Sequence, residues 1–169
     1  MALNAYLTLT GQKQGLIKGS VTQKSREGMI EIIATNSSLI SPRDQASGAP
    51  TGKRMHKPFV VTHEVDIALP LLYNAIVNNE NITKWRLDYY ASQIGNDRTT
   101  ATAIEQNYFS VELVNASIAS IDLRSHNNKH PDLMKFKEFV EVAYVFQKIT
   151  WTWQKGGITA SDDWETPVV

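Results

Sequence analysis

Cysteine is absent from the 169 residues, which excludes a disulfide scaffold, a thiolate metal site and a cysteine nucleophile together. No apolar run approaches the roughly 20 residues that cross a bilayer as a helix. Net charge is missing too, because 17 basic and 17 acidic side chains cancel; no whole-molecule field draws in nucleic acid or an anionic membrane. Met1 to Thr10 lack the basic head, apolar stretch and small-residue cleavage site of a secretory signal. The expected address is therefore the cytoplasm, and any release must take an unconventional route. A Gly-x-Ser-x-Gly elbow, a glycine-rich phosphate loop and a dinucleotide fingerprint are absent as well.

What is present is a chain of single-domain length, 42% hydrophobic and 20% charged, enough to bury its own core. Its dominant pattern has a two-residue period. Leu3, Ala5, Leu7 and Leu9 share one side of an opening strand that stops at Gly11. A second strand runs through Ile17 and Val21; Arg26, Glu27 and Gly28 turn into a third, Met29 to Thr35. Further strands are expected from Pro58 to Val65, Ile82 to Tyr90, Tyr108 to Val114, Ser117 to Arg124, Phe139 to Trp153 and Ile158 to Trp164. The short Asn115-Ala116 junction predicts a hairpin between the third and fourth of these. Gly156 and Gly157 supply a turn. Phe139 to Trp153 is apolar on both faces, which suggests a strand covered on two sides or one that passes from core to interface.

The one convincing helix spans about 69–79, with Pro70 in its first turn and Leu72, Ala75 and Ile76 as its apolar stripe. Ala68 and Leu69 offer no capping oxygen, while Asn78 and Asn79 suit its end. Asp132 to Phe136 has room for a single helical turn. From Ser41 to Lys57 the apolar period vanishes, and Pro42, Gly48, Pro50 and Gly52 punctuate a basic loop carrying Arg43, Lys53, Arg54 and Lys57. Loops of that length are more often functional than idle. A second polar loop is expected from about 92 to 106. With eight or nine strands, one helix, no internal repeat and no strand–helix alternation, the expected fold is mainly β: an antiparallel β-barrel of two sheets with one flanking α-helix and a long extended loop.

Candidate chemistry is sparse. His126 and His130 stand four apart, but Lys129 lies between them and no third ligand is evident, so a structural role outweighs a metal site. Asp162, Asp163 and Glu165 lack the spacing of a calcium loop and any sign of burial, which predicts a solvated acidic tail. Ala49 to Arg54 contains Gly52-Lys53, yet the upstream glycine is too close and no helix follows. Trp85, Trp151, Trp153 and Trp164 fit core or interface positions better than ligand platforms. No cofactor, metal or catalytic residue is expected. On residues alone, a carbohydrate-binding β-sandwich is the rival to a self-assembling structural subunit.

The residues also resemble, over nearly the whole chain, the haemolysin-coregulated proteins (Hcp) of the bacterial type VI secretion apparatus. The similar segments are Ala2-Leu3-Asn4-Ala5-Tyr6-Leu7 with Gly19 to Gln23, Ser41 to Asp44 with Pro50 to Pro58, Pro70 to Ala75 with Asn78 to Glu80, Asn115 to Ile121 and His130 to Phe136. Ile149 to Trp153, Gly156 to Ala160 and Asp162 to Glu165 complete the set. Ile67-Ala68-Leu69 departs from the polar approach to the helix, and 91–106 follows no family pattern. The resemblance implies one tube domain over 1–169, ending in a flexible stretch of about 165–169. It implies a homohexamer whose rings stack into a hollow tube, with a spike protein, a contractile sheath and effector proteins as partners. Nucleic acid and membrane insertion are not implied. Such proteins wait in the cytoplasm and are then secreted without a cleaved signal; a C-terminal toxin domain, carried by some relatives, is not expected so soon after Trp164. A contractile phage tail-tube subunit shares this plan. Sheet edges or barrel faces are expected to supply the lateral contacts, and Ser41, Pro42, Arg43, Asp44, Lys53, Arg54 and His56 are the expected ring-stacking residues.

Overall fold

In the computed structural model, residues 4–91 and 105–164 are described, and within them thirteen strands and one helix are found. The largest sheet contains β1 (Ala5–Gly11), β2 (Gly15–Ile17), β3 (Ile30–Ile32), β8 (Ile82–Ala91), β9 (Gln106–Val114), β12 (Lys148–Trp153) and β13 (Ile158–Asp163). It runs in the order β13-β12-β9-β8-β1-β2, with β3 pairing the other half of the β1 edge. The second sheet has the order β10 (Ser117–Arg124), β11 (Phe139–Val145), β7 (Phe59–Glu64), β4 (Ala34–Asn36). β5 (Leu39–Ile40) and β6 (Met55–His56) form a separate two-stranded ribbon. Every pairing is antiparallel.

Period-two alternation builds the space between the sheets. Leu7 and Leu9 from β1, Trp85 and Leu87 from β8, and Val111 and Leu113 from β9 meet Phe59 and Val61 from β7 and Val140, Val142 and Tyr144 from β11. Trp85 sits at the centre, with its ring 5.0 Å from Phe59 and 5.6 Å from Tyr144 in edge-on contacts. The helix α1 (Leu69–Val77) lies beside β10 and inserts Leu72 and Ala75 into the same core. As expected, its start has no side-chain cap and Pro70 occupies its first turn; Asn78 and Asn79 end it, Asn79 in the left-handed region. Among the described residues, no helix is long and apolar enough to cross a membrane.

The sheets are joined at corners, and these correct three sequence expectations. The strand expected over Met29 to Thr35 breaks at Ile33, so that β3 pairs with β1 in one sheet and β4 with β7 in the other. The run from Phe139 to Trp153 breaks at Phe146-Gln147, and each half joins a different sheet. That break shifts the inward face from even to odd positions, which is why the run reads as apolar on both sides: Val142 and Tyr144 are buried before it, Ile149 after it. The hairpin expected between 108–114 and 117–124 does not form. β9 pairs with β8 and β12, whereas β10 pairs with β11, and Asn115 takes a left-handed conformation to turn the chain across the core. Bends of this kind replace a continuous ladder, so the two sheets close over the core without one uninterrupted barrel of hydrogen bonds. They also account for a strand number above the expected eight or nine.

Two turns hold the ends of this framework. Gly156 and Gly157, both at positive φ, connect β12 to β13. Gly19 lets two backbones meet: a Cβ there would lie 2.3 Å from the Met29 carbonyl oxygen. After the helix, Glu80 accepts hydrogen bonds from the Lys13 and Gln14 amides at 2.6 and 2.9 Å, pinning the β1–β2 turn, and those donors hold its carboxyl below the usual range. Asp132 to Phe136 is a turn, with Met134 N–H donating to the His130 carbonyl. The loop expected over 92–106 lies outside the described residues except for Glu105 and Gln106; so does the expected C-terminal end 165–169.

Candidate functional site

The expected loop is an arm with its own order. Its tip is a tight turn in which the Asp44 carboxylate accepts from Ala46 N–H (3.1 Å), Ser47 N–H (2.7 Å) and the Ser47 hydroxyl (2.8 Å). These bonds favour the ionised form and hold the Asp44 carboxyl low. Asp44 N–H donates to the Ala49 carbonyl, Thr51 N–H to the Pro42 carbonyl, and Arg43 bridges Pro50 across the arm. Ser41, Arg43 and Asp44 are exposed and Pro42 is partly covered. The hydrogen bonds found for 41–52 stay within the arm.

At the arm's root the situation reverses. Alternation along β6 turns Arg54 and His56 to one side and Met55 to the other. Met55, Leu39 and Ile40 are substantially exposed, whereas the His56 side chain is only 3% exposed. The His56 ring stacks between Trp151 (6.3 Å) and Trp164 (5.7 Å), edge-on to Phe146 (5.4 Å). Its Nε2 lies 2.6 Å from the Asp162 carboxylate. Arg54 donates to the same carboxylate through Nε at 2.6 Å and to the Asp163 carbonyl through Nη2 at 2.7 Å. Lys53 Nζ donates to the Trp164 carbonyl oxygen. The Arg54 guanidinium, helped by His56 and opposed by burial, holds the Asp162 carboxyl below its usual range; the same contact raises Arg54.

The expectation of a solvated acidic tail is thereby corrected for Asp162, whose side chain is 18% exposed and committed to two partners. Sequence reading missed it because its partners lie more than 100 residues away. One signal was available: a basic loop and an acidic end with no other evident counter-charge. Of the expected stacking residues, the structure thus places Ser41 to Asp44 at the exposed end of the arm and Lys53, Arg54 and His56 at its root.

Other polar clusters close on themselves. On the face of the large sheet away from the core, a cleft of about 500 Å³ lined in part by Thr8, Lys84 and Glu112 also holds Arg86, Asp88 and Asn107. Buried Asp88 accepts from Arg86 Nε (3.0 Å), from Asn107 (2.7 Å) and from the Ser110 hydroxyl. Arg26 lies 3.8 Å from the Tyr90 ring and 4.8 Å from the Tyr6 ring and pairs with Glu105 at 2.6 Å. His63 is buried on the core face of β7, and His126 packs on Phe136 and Phe139. Among the described residues no three metal-ligating side chains come together. Trp85 is core, and Trp153 meets Tyr108 edge-on at 5.6 Å.

Residues 6–153 match the family model described as "Type VI secretion system effector, Hcp". The chain is 37% identical over 177 residues to a major exported protein of Pseudomonas aeruginosa, covering 99% of each. Among solved structures it is similar to an Hcp protein (TM-score 0.86, 27% identity, 98% of this chain and 100% of that one). A variant of the Hcp1 protein from E. coli EAEC 042 superposes with a TM-score of 0.80 at 31% identity, covering 96% of this chain and 99% of that one.

Proposed function

The chain belongs to the Hcp family of type VI secretion proteins, and from that premise we propose that it is a tube subunit: six copies close into a ring, and rings stack into a hollow tube exported with a spike. The observation that carries this reading is the exposed, internally ordered arm projecting from a rigid two-sheet body. A body with exposed strand edges and a directional arm has the two unlike surfaces that head-to-tail assembly needs. Lateral contacts fall to the sheet edges, including β13 and β10, and Ser41, Pro42, Arg43 and Asp44 at the end of the arm reach the next ring. Lys53, Arg54 and His56 serve stacking from the root. The role is structural and requires neither cofactor nor catalysis. A contractile sheath drives the tube, effector proteins ride in its lumen, and the chain leaves the cytoplasm without a cleaved signal.

Release is the functional test. In the bacterium of origin, epitope-tagged protein is expected in the culture supernatant of wild-type cells and absent when the contractile sheath is deleted, with cytoplasmic amounts equal. Sheath-independent release overturns the reading.

A further inference from the structure

The arm's direction depends on something outside it. β5 and β6 pair over only two residues each, and a two-stranded ribbon that short is marginal in water. The apolar side chains of the ribbon, Leu39, Ile40 and Met55, are left substantially exposed and anchor little. The firm attachments are the packing of the His56 ring against Phe146, Trp151 and Trp164 and a set of polar bonds, and the polar bonds converge from the opposite end of the chain. Asp162 takes Arg54 and His56 on one carboxylate, the Asp163 carbonyl takes Arg54, and Trp164 both accepts from Lys53 and covers the His56 ring.

We infer that Asp162 and Trp164 are positioning residues for the arm: together they form a latch at the end of β13 that fixes the pose in which the arm meets the next ring. The inference rests on the tube reading and adds to it the residues that control stacking from outside the contact. The geometry suits a latch more than a core. One carboxylate is shared by the Arg54 guanidinium and the His56 ring nitrogen, so two residues of the root are fixed against a single group and the angle of β6 is set as well as its distance. Charge-assisted bonds of this kind are stronger than neutral ones and lose most when one partner is removed. β13 is itself held along its length by β12, from Lys148↔Asp163 to Trp153↔Ile158. The latch therefore ties the arm to the rigid large sheet, and the pose of the arm follows the sheet.

The test uses the full-length protein with Asp162→Ala, Asp162→Asn and Trp164→Leu. Limited trypsin digestion, read by the masses of fragments ending at Lys53 and Arg54, reports release of the root. Ring formation and stacking are read separately by particle mass and negative-stain images. Cleavage at the root is expected to accelerate about tenfold in Asp162→Ala and less in Asp162→Asn. Cleavage elsewhere and the ring mass should stay at wild-type values while stacks shorten. Unchanged cleavage in all three variants overturns the latch; faster cleavage with undiminished stacking overturns its role in positioning. If Asp162→Ala misfolds, Trp164→Leu gives the same reading from the other half of the latch. A wild-type protein that forms no rings counts against the tube reading instead, and the digestion still judges the latch.

Discussion

The space between the two sheets and the root of the arm are held by opposite means. Between the sheets, Trp85, Tyr144, Leu7, Leu9, Leu87 and Val61 are almost wholly buried and gain stability through many weak, non-directional contacts. At the root, a few directional bonds between Lys53 to His56 and Asp162 to Trp164, with one small aromatic cluster around the His56 ring, do the holding. Damage to the first region is spread through the whole fold. Damage to the second leaves the body standing and frees one projecting element. The molecule thus separates what makes it fold from what is proposed to make it assemble.

The largest expected effect lies in the core. Trp85→Ala removes the ring on which Phe59 and Tyr144 rest, and should cost about 3–5 kcal/mol in urea unfolding. A loss below about 1 kcal/mol would mean that the core is not organised around this side chain.

Acid should sharpen the contrast by acting on the two regions in turn. Burial of His63 holds its pKa below the ordinary value, with the Glu64 carbonyl and Asp66 opposing in part. The unfolded chain takes up that proton near pH 6.5 while the folded chain resists it, so the body is fully stable above about pH 6.5 and weakens as pH falls through the folded value. Asp162 is also held low in the folded state; its contribution is present above the ordinary carboxylate pKa and disappears only as pH falls through its lower folded value. Unfolding midpoints measured from pH 7.5 to pH 4 should therefore decline first through His63. His63→Leu should flatten that first decline, and an unflattened curve would assign it to another group.

Charge reversal at the exposed end of the arm should leave the fold almost untouched. Arg43→Glu is expected to melt within about 2 °C of wild type and to stack poorly; normal stacking would remove Arg43 from the proposed contact. The smallest effect belongs to Tyr144. Its hydroxyl is buried without a hydrogen-bond partner among the described residues, and burial pushes its pKa far up. Tyr144→Phe removes an unsatisfied polar atom and should be neutral or stabilising by up to about 1 kcal/mol. Clear destabilisation would mean that the hydroxyl has a partner in solution.

The same division explains what could be read in advance. Alternation through Leu7 and Leu9, Trp85 and Leu87, and Val111 and Leu113 announces the strands because burial of one face imposes a local period. Pro70 with the stripe of Leu72, Ala75 and Ile76 announces the helix for the same reason. Corners carry no such period. Asn115 looks like a hairpin turn in sequence, yet it serves a crossing between sheets, since the choice is made by β8, β11 and β12, all distant along the chain. The Asp162 contacts with Arg54 and His56 are harder still: each residue type is unremarkable alone, and only the folded β12–β13 pair brings the carboxylate to the arm. The end of the arm was legible as a polar loop, but its internal order depends on Asp44 bonding its own backbone neighbours.

The central claim is that identical copies of this body close on one another. Negative-stain class averages of purified wild-type protein, collected over a range of concentrations, measure this directly. Rings of six subunits around an open centre, lengthening into stacks as concentration rises, are the predicted result; folded protein that stays monomeric at every concentration and salt would contradict it.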